Sequence, residues 1–214
     1  MEVPRERSED VLRHDRALAR PGLAGVVLCG GGSTRMGVDK ATITLDGSTL
    51  LERALAFLDE VCDPVFIAPG AVALRVTGRR SVADAVPGAG PLGGLVAALR
   101  ASPHRLLAVV AVDLPWVDPS LIAMLAASIG DRDVAVCETL RGTEPLHAVY
   151  SVSVLAAAEA ALDGPDRSLR RLIDRSSALR ITESEWRAAG ISDRFSLNVN
   201  TPEDFERVSR EHRR

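Results

Sequence analysis

Short apolar runs alternate with segments of helical period along this chain of 214 residues. The runs that predict buried strands lie at residues 23–28, 65–68, 106–112 and 134–137. The segments that predict helices lie at residues 92–101, 119–129, 152–162 and 168–175. Because strands that alternate with helices form mostly parallel sheets covered on both faces, we expect an α/β fold of this kind.

Two capping patterns predict further helix starts. Thr49 and Glu52 form a capping box before a segment with one apolar face. Towards the other end of the chain, Thr201 is predicted as an N-cap, with Pro202 in the first turn and Asp204 completing the box. Ligands of open α/β sheets bind beyond the carboxyl ends of the strands, so the residues that follow positions 28, 82 and 112 are expected to form the site.

Composition and charge exclude several classes of function. The formal net charge of −3 argues against a nucleic-acid-binding protein, and no apolar run approaches the roughly 18 residues of a membrane span. Cys29, Cys62 and Cys137 are widely spaced and odd in number, which indicates buried thiols in the reducing cytoplasm. Residues 1–21 are highly charged and are predicted to be a mobile extension, which leaves residues 22–214 as one domain.

A glycine-rich loop follows the first predicted strand. Gly30, Gly31 and Gly32 allow backbone N–H groups to approach an anion closely, and Arg35 and Lys40 place two cations in the same segment. This combination favours a phosphate-binding loop, although a tight turn with two solvated cations remains the alternative. The loop is not a Walker A motif, which would require a lysine at position 38, and it lacks the third glycine of a dinucleotide fingerprint.

Asp113 ends the apolar run at residues 106–112. An aspartate in this place is either a turn or cap residue or a ligand for a hard cation such as Mg²⁺, which takes one or two carboxylates together with phosphate oxygens. Asp118 is the better cap for the following helix, since Pro119 comes directly after it. Both interpretations of Asp113 remain open from the residues alone.

The string at residues 28–40, LCGGGSTRMGVDK, resembles the L-A-G-G-x-S-x-R-M-G-x-D-K signature of the nucleotidyltransferase family that contains the molybdenum cofactor guanylyltransferases, the MobA-like family. It departs from the signature at Cys29, where alanine is usual, and a small buried residue is the simplest interpretation of that thiol. Further resemblances to the family lie, in order, at residues 84–94, 111–115, 144–150 and 198–204. The resemblance spans about residues 22–210.

The resemblance implies a Rossmann-like three-layer αβα nucleotidyltransferase fold. It also implies transfer of GMP from GTP to the phosphate of molybdopterin, with release of pyrophosphate. Lys40, Arg35 and Asp113 are the catalytic residues that it indicates, with Asp113 holding Mg²⁺, and Asn198 and Asn200 are its acceptor-binding residues. The nucleotide-binding residues that it indicates are Leu28, Cys29, Gly30, Gly31, Lys40, Asp84, Gly93 and Asp113.

The nucleotide and the partners follow from the same resemblance. The L-x-G-G form of the first loop and the G-P-L-G-G form at residues 90–94 favour GTP over CTP. The alternatives are transfer from CTP, transfer to another phosphorylated small molecule, and a nucleotide-binding protein without transfer activity. Beyond GTP and molybdopterin, the expected partners are cofactor-delivery proteins or recipient molybdoenzymes, with no nucleic acid and no membrane.

Overall fold

The computed structural model describes residues 22–30, 40–70, 76 and 78–212. The sequence folds into short strands and helices that alternate along the chain. The strands are β1 (Leu23–Leu28), β2 (Thr44–Leu45), β3 (Ser48–Thr49), β4 (Val65–Ala68), β5 (Arg80–Ser81), β6 (Leu106–Ala111), β7 (Val134–Thr139), β8 (Gly142–Thr143), β9 (His147–Ser151) and β10 (Ala178–Ile181). The helices are α1 (Leu50–Asp59), α2 (Pro91–Ala101), α3 (Pro119–Ser128), α4 (Leu155–Asp163), α5 (Leu169–Asp174), α6 (Glu183–Ala188) and α7 (Pro202–His212).

The main sheet has the strand order β10-β7-β9-β6-β1-β4-β5, with β8 paired to β7. β1 lies in its interior, parallel to both β4 and β6, and all six of its residues are buried. β9 runs antiparallel to both of its neighbours, β6 and β7. The mostly parallel sheet expected from the sequence is therefore confirmed, with β9 reversed inside it and the two-residue β8 antiparallel to β7.

Helices cover both faces of this sheet. On each face, the apolar side chains of the sheet and of its helices form a separate buried layer. One layer includes side chains of α1, α3, α6 and α7, such as Leu58, Leu125 and Trp186. The other includes side chains of α2, α4 and α5, such as Leu95 and Leu172. The three-layer architecture predicted from the alternation of strands and helices is confirmed.

The predicted caps form as expected. The Thr49 hydroxyl accepts from the backbone N–H of Glu52 at 3.1 Å, and the Glu52 carboxylate accepts from the backbone N–H of Thr49 at 2.8 Å. Asp118 caps α3 by accepting from the backbone N–H of Ser120. At α7, Thr201 and Asp204 satisfy each other's backbone N–H groups at 3.1 Å.

Several elements depart from the sequence prediction or were missing from it, among them the two-residue strands β2, β3, β5 and β8. β9, β10 and α6 were not predicted, since each is only four to six residues long and lacks a clear period. The helix predicted at residues 152–162 begins as a 3-10 turn at Val152–Val154 and becomes α-helical at Leu155.

No helix within the described ranges is long and apolar enough to cross a membrane. Residues 1–21 lie outside those ranges, so the domain boundary at residue 22 stays a prediction.

Candidate active site at the carboxyl edge of the sheet

A compact polar cluster joins three distant parts of the chain beyond the carboxyl ends of β1 and β6. The Lys40 ammonium donates to Asp113 Oδ2 at 2.9 Å and to Asn200 Oδ1 at 2.5 Å. The Lys40 and Asp113 side chains are only 15% and 22% exposed. A cation and a carboxylate are thus held together in a largely desolvated place, at the edge where parallel sheets bind ligands.

The backbone fixes the positions of Asp113 and Asn200. The Val112 N–H donates to the Leu28 carbonyl at 3.0 Å, which ties the end of β6 to the end of β1. The Val199 N–H donates to the Asp113 carbonyl at 2.9 Å, so the segment before α7 is bonded directly to the aspartate. The Asn200 N–H in turn donates to the Asp204 carboxylate at 3.1 Å. The capping box of α7 therefore also positions Asn200 beside Lys40.

Lys40 differs from every other cation of the chain. It is the single lysine among the 26 lysine and arginine residues of the sequence. A compact ammonium presents three donors as a point charge, whereas the arginine guanidinium is a planar fork. All other Lys or Arg positions of the chain are arginine. The ammonium of this cluster is therefore chemically distinct from the guanidinium groups elsewhere in the chain.

The donor set at Asp113 fits a hard divalent cation that takes most of its ligands from a substrate. No group of three or more His, Cys, Asp or Glu side chains converges on one point within the described residues, so a metal cage made wholly of protein does not arise there. Mg²⁺ typically binds one or two carboxylates together with phosphate oxygens and water. A single partly exposed carboxylate at the edge where ligands of such sheets bind has this character.

The stem of the first loop is held by a close backbone contact. The Cys29 N–H donates to the Ala68 carbonyl at 2.8 Å, and Cys29 itself is 8% exposed, as a small buried residue should be. A Cβ atom on Gly30 would lie 2.8 Å from the Gly70 Cα, and Gly70 adopts a φ of +66°. Gly30 and Gly70 must therefore both be glycine for the loop to leave β1 on this path. Gly31 and Arg35 lie outside the described residues.

We expect Gly30→Ala to destabilise the fold by about 1–3 kcal/mol and to weaken nucleotide binding, because the new methyl group meets backbone rather than a movable side chain. Thermal denaturation and nucleotide titration measure the two effects. Gly164→Ala is the matched control, since a Cβ there lies 3.5 Å from its nearest neighbour, at ordinary contact distance. Equal stability of the two variants would contradict the steric role given to Gly30.

The turn before α2 brings Asp84 close to the stem of the first loop. The Ala85 N–H donates to the Gly93 carbonyl at 3.2 Å, and a Cβ on Gly93 would lie 3.4 Å from the Asp84 Cβ. A Cβ on Gly94 would lie 3.0 Å from the Leu28 Cδ2, so α2 packs tightly against β1. Asp84 is half-buried, and its burial raises the pKa of its carboxyl group. A desolvated carboxylate in this place can accept two N–H groups from one edge of a base.

The structure brings together Lys40, Asp113 and Asn200 from the predicted site. Asn198 lies half-buried two residues before Asn200, and its side chain makes no hydrogen bond to the described residues. His147 is 1% exposed, and burial lowers the pKa of its imidazole to about 4. One of its ring nitrogens accepts from the Asp118 N–H at 3.4 Å, so His147 is a neutral structural residue.

Sequence reasoning overlooked one carboxyl group at this edge. Glu144 lies just before β9, and its backbone N–H donates to the Cys137 carbonyl of β7 at 3.0 Å. Burial raises the pKa of the Glu144 carboxyl, against the opposing effects of the Thr139 hydroxyl and of Arg170 and Arg141. In the sequence, Glu144 could have been recognised as a charged residue that lies between two apolar runs and directly before Pro145.

Comparison with known proteins adds three findings. The family model described as "MobA-like NTP transferase domain" matches residues 25–180. A protein of Opitutus terrae named "Probable molybdenum cofactor guanylyltransferase" is 38% identical to this chain over 202 residues, which cover 89% of this chain and 96% of that protein. The solved structure of molybdopterin-guanine dinucleotide biosynthesis protein A from Archaeoglobus fulgidus superposes with a TM-score of 0.76 at 23% identity, covering 89% and 98% of the two chains.

A structure from Mycobacterium tuberculosis H37Rv, described as a complex with manganese, has the same fold. It superposes with a TM-score of 0.66 at 20% identity and covers 89% of this chain and 99% of that one.

Proposed function

The chain belongs to the MobA-like NTP transferase family, and from that premise we propose that it transfers GMP from GTP to the phosphate of molybdopterin, releasing pyrophosphate. The observation that carries the proposal is the Lys40–Asp113 contact of 2.9 Å at the carboxyl edge, beside the stem of the glycine-rich loop. Relatives named for this activity, at up to 38% identity over most of their length, support the choice of donor and acceptor.

The reaction brings two anions together, so positioning and charge neutralisation are the main tasks of the protein. The acceptor phosphate attacks the α-phosphorus in line with the leaving pyrophosphate, and no protein nucleophile is required. We propose that Asp113 holds Mg²⁺, which supplies charge neutralisation on the triphosphate oxygens. The manganese complex of the Mycobacterium tuberculosis protein supports a divalent cation in this fold.

The side chains of the cluster have separate tasks in this proposal. Lys40, oriented by Asp113 and Asn200, donates to phosphate oxygens as negative charge moves towards the pyrophosphate. Arg35, outside the described residues, is the second cation. Asn198 and Asn200 are proposed to orient the acceptor phosphate. The backbone at Leu28, Cys29, Gly30 and Gly31 is proposed to bind the nucleotide.

Asp84 is proposed to read the guanine edge, with Gly93 allowing the base to approach the backbone. We expect Asp84→Asn to lower GTP affinity about 10- to 100-fold, because an amide NH₂ would face the N–H donors of guanine. Titration with GTP and CTP in the presence of Mg²⁺ measures the change in preference. Asp131→Asn, at an exposed carboxylate, is the control. If the ratio of GTP affinity to CTP affinity is the same in Asp84→Asn as in the wild type, Asp84 does not recognise the base.

The proposed function is tested by titrating the protein with GTP, CTP, ATP and UTP in the presence of Mg²⁺, followed by assay of dinucleotide formation with molybdopterin. Selective GTP binding and formation of the guanine dinucleotide are the expected results. Preference for CTP would support the cytidylyl alternative. Nucleotide binding without transfer would support a binding protein, and absence of nucleotide binding would overturn the proposal.

The finished cofactor is proposed to pass to a delivery protein or a recipient molybdoenzyme. The reducing cytoplasm is the proposed compartment, because Cys62 and Cys137 are buried thiols, with the pKa of Cys137 raised to about 12 by burial.

A further inference from the structure

Glu144 lies on the opposite side of the phosphate-binding edge from Asp84. Asp84 follows β5, beyond β1 in the strand order, whereas Glu144 precedes β9, which lies between β6 and β7. Asp113 follows β6, so the proposed metal ligand lies between the two carboxyl groups along the edge. In-line attack places the acceptor phosphate opposite the leaving pyrophosphate, at the Lys40–Asp113 cluster. With the nucleotide base on the Asp84 side of that cluster, the side of β9 and β7 is the part of the edge left for the ring of the acceptor.

The reversed direction of β9 brings Glu144 to this edge. Because β9 is antiparallel to β6, its first residues lie beside the last residues of β6. The Ala111 N–H donates to the Leu146 carbonyl at 3.1 Å, two residues from Asp113 on one strand and two from Glu144 on the other. Glu144 therefore lies beside the Asp113 segment on the neighbouring strand, at the same carboxyl edge of the sheet.

The hydrogen-bonding capacity of Glu144 exceeds what its surroundings use. A carboxylate has about four acceptor sites. Within the described residues, its one hydrogen-bond donor to the side chain is the Thr139 hydroxyl, at 3.2 Å. Burial raises the pKa of the Glu144 carboxyl in spite of Arg170 and Arg141 nearby. A desolvated acceptor with remaining capacity binds N–H donors more strongly than an exposed one does.

The chemistry of the proposed acceptor supplies such donors. The pyrimidine ring of a pterin carries a 2-amino and a 4-oxo group, so its N3–H and its amino group form the same pair of donors as guanine N1–H and its amino group. A carboxylate accepts both donors at once, as Asp84 is proposed to do for guanine. The two halves of the dinucleotide product therefore require matching recognition groups on the two sides of the phosphates.

We propose that Glu144 recognises the 2-amino-4-oxo edge of the pterin acceptor, as the counterpart of Asp84 on the nucleotide side. This inference rests on the proposed function and deepens it by assigning a specificity residue to the acceptor. The Thr139 hydroxyl shares its proton between the Gly142 carbonyl at 3.1 Å and the Glu144 carboxylate at 3.2 Å, and the Glu144–Cys137 backbone bond fixes the distance of Glu144 from β7.

The test compares two probes that differ at one ring position. One is a pterin with a phosphomonoester side chain, and the other is its lumazine counterpart, which has an oxo group in place of the 2-amino group. Both are titrated into the full chain saturated with Mg²⁺ and a GTP analogue that has a methylene bridge between the α- and β-phosphorus. Wild-type protein is expected to prefer the pterin at least about tenfold, because the lumazine carbonyl meets the carboxylate unfavourably.

Glu144→Gln is expected to weaken pterin binding about 10- to 100-fold and to reduce the preference for pterin below about threefold. The reason is that the amide NH₂ opposes the amino group of the pterin but donates to the lumazine carbonyl. Affinity for the GTP analogue should stay within about twofold of the wild-type value. Glu183→Gln is the matched control, since Glu183 is a surface carboxylate on α6 paired with Arg187.

The outcomes separate this inference from the proposed function. If wild-type protein binds the pterin and Glu144→Gln keeps the same preference over lumazine, Glu144 is not the recognition residue and the inference is overturned. If wild-type protein binds the GTP analogue but neither pteridine, the molybdopterin assignment fails and the inference fails with it. A loss of preference in Glu144→Gln that Glu183→Gln does not share supports the inference, provided that thermal denaturation finds both variants folded.

Discussion

Asp113→Asn is expected to lower kcat/KM for guanylyl transfer at least about 1000-fold, because the substitution removes the charge proposed to hold the divalent cation while keeping the shape of the side chain. The fold should survive, since the bond from the Val199 N–H goes to the backbone carbonyl of Asp113 and not to its carboxylate. Steady-state assay of dinucleotide formation across a Mg²⁺ titration measures the loss.

A second measurement distinguishes loss of the metal from loss of the nucleotide. GTP binding by Asp113→Asn should persist but should no longer strengthen when Mg²⁺ is added, whereas Asp131→Asn should behave as wild type. Transfer by Asp113→Asn within tenfold of the wild-type rate, still dependent on Mg²⁺, would place the metal ligand elsewhere.

Lys40→Gln is expected to lower kcat/KM about 100- to 1000-fold, because the ammonium donates to oxygens at the centre of the proposed reaction and no other lysine exists to replace it. Lys40→Arg should restore little activity, since a planar guanidinium cannot place its donors where a compact ammonium lies between Asp113 Oδ2 and Asn200 Oδ1. Steady-state assay of the two variants beside the wild type gives both values.

The single lysine also allows a test without mutagenesis. Acylation with an amine-directed reagent can modify only Lys40 and the N-terminal amine, so inactivation should follow the modification of Lys40 in a peptide map. Mg²⁺ and GTP should protect Lys40 and activity together. Full activity in Lys40→Arg, or full acylation of Lys40 without inactivation, would contradict the role proposed for the ammonium.

The parts of this fold that the sequence predicted are those with strong local signals. The buried run of β1, the capping boxes at Thr49 and Thr201 and the cap at Asp118 each depend on a few neighbouring residues. Such signals depend on side chains that satisfy or bury backbone close in sequence, so they can be recognised without tertiary structure. The mostly parallel sheet then follows from the order of the elements.

The parts that the sequence did not predict depend on contacts between distant segments. β9 is a strand because β6 and β7 flank it, and nothing in residues 147–151 specifies the reversal of direction. For the same reason the position of Glu144, one strand across from the Asp113 segment, was not predicted. Lys40 and Asp113 were candidates from the residues themselves and Asn200 from the family resemblance, but their mutual contacts are features that the structure alone provides.

The segment between β10 and α7 illustrates a different limit. Short elements such as α6 are stabilised by tertiary packing, here of the buried Trp186 against Phe195 with ring centroids 5.3 Å apart. A six-residue helix has too few turns to give a recognisable period. Its prediction would require knowledge of the surface that it covers.

The Lys40 cluster has a consequence for how the protein acquires activity as it folds. Lys40 is separated along the chain by 73 residues from Asp113 and by 160 from Asn200. Contacts between such remote residues form after local ones, because closing long loops costs entropy before any contact compensates for it. A refolding intermediate with β1, β6 and α1 in place but α7 undocked would lack Asn200 beside Lys40. Catalytic competence should therefore return later than helical circular dichroism, so recovery of transfer activity reports the final docking step.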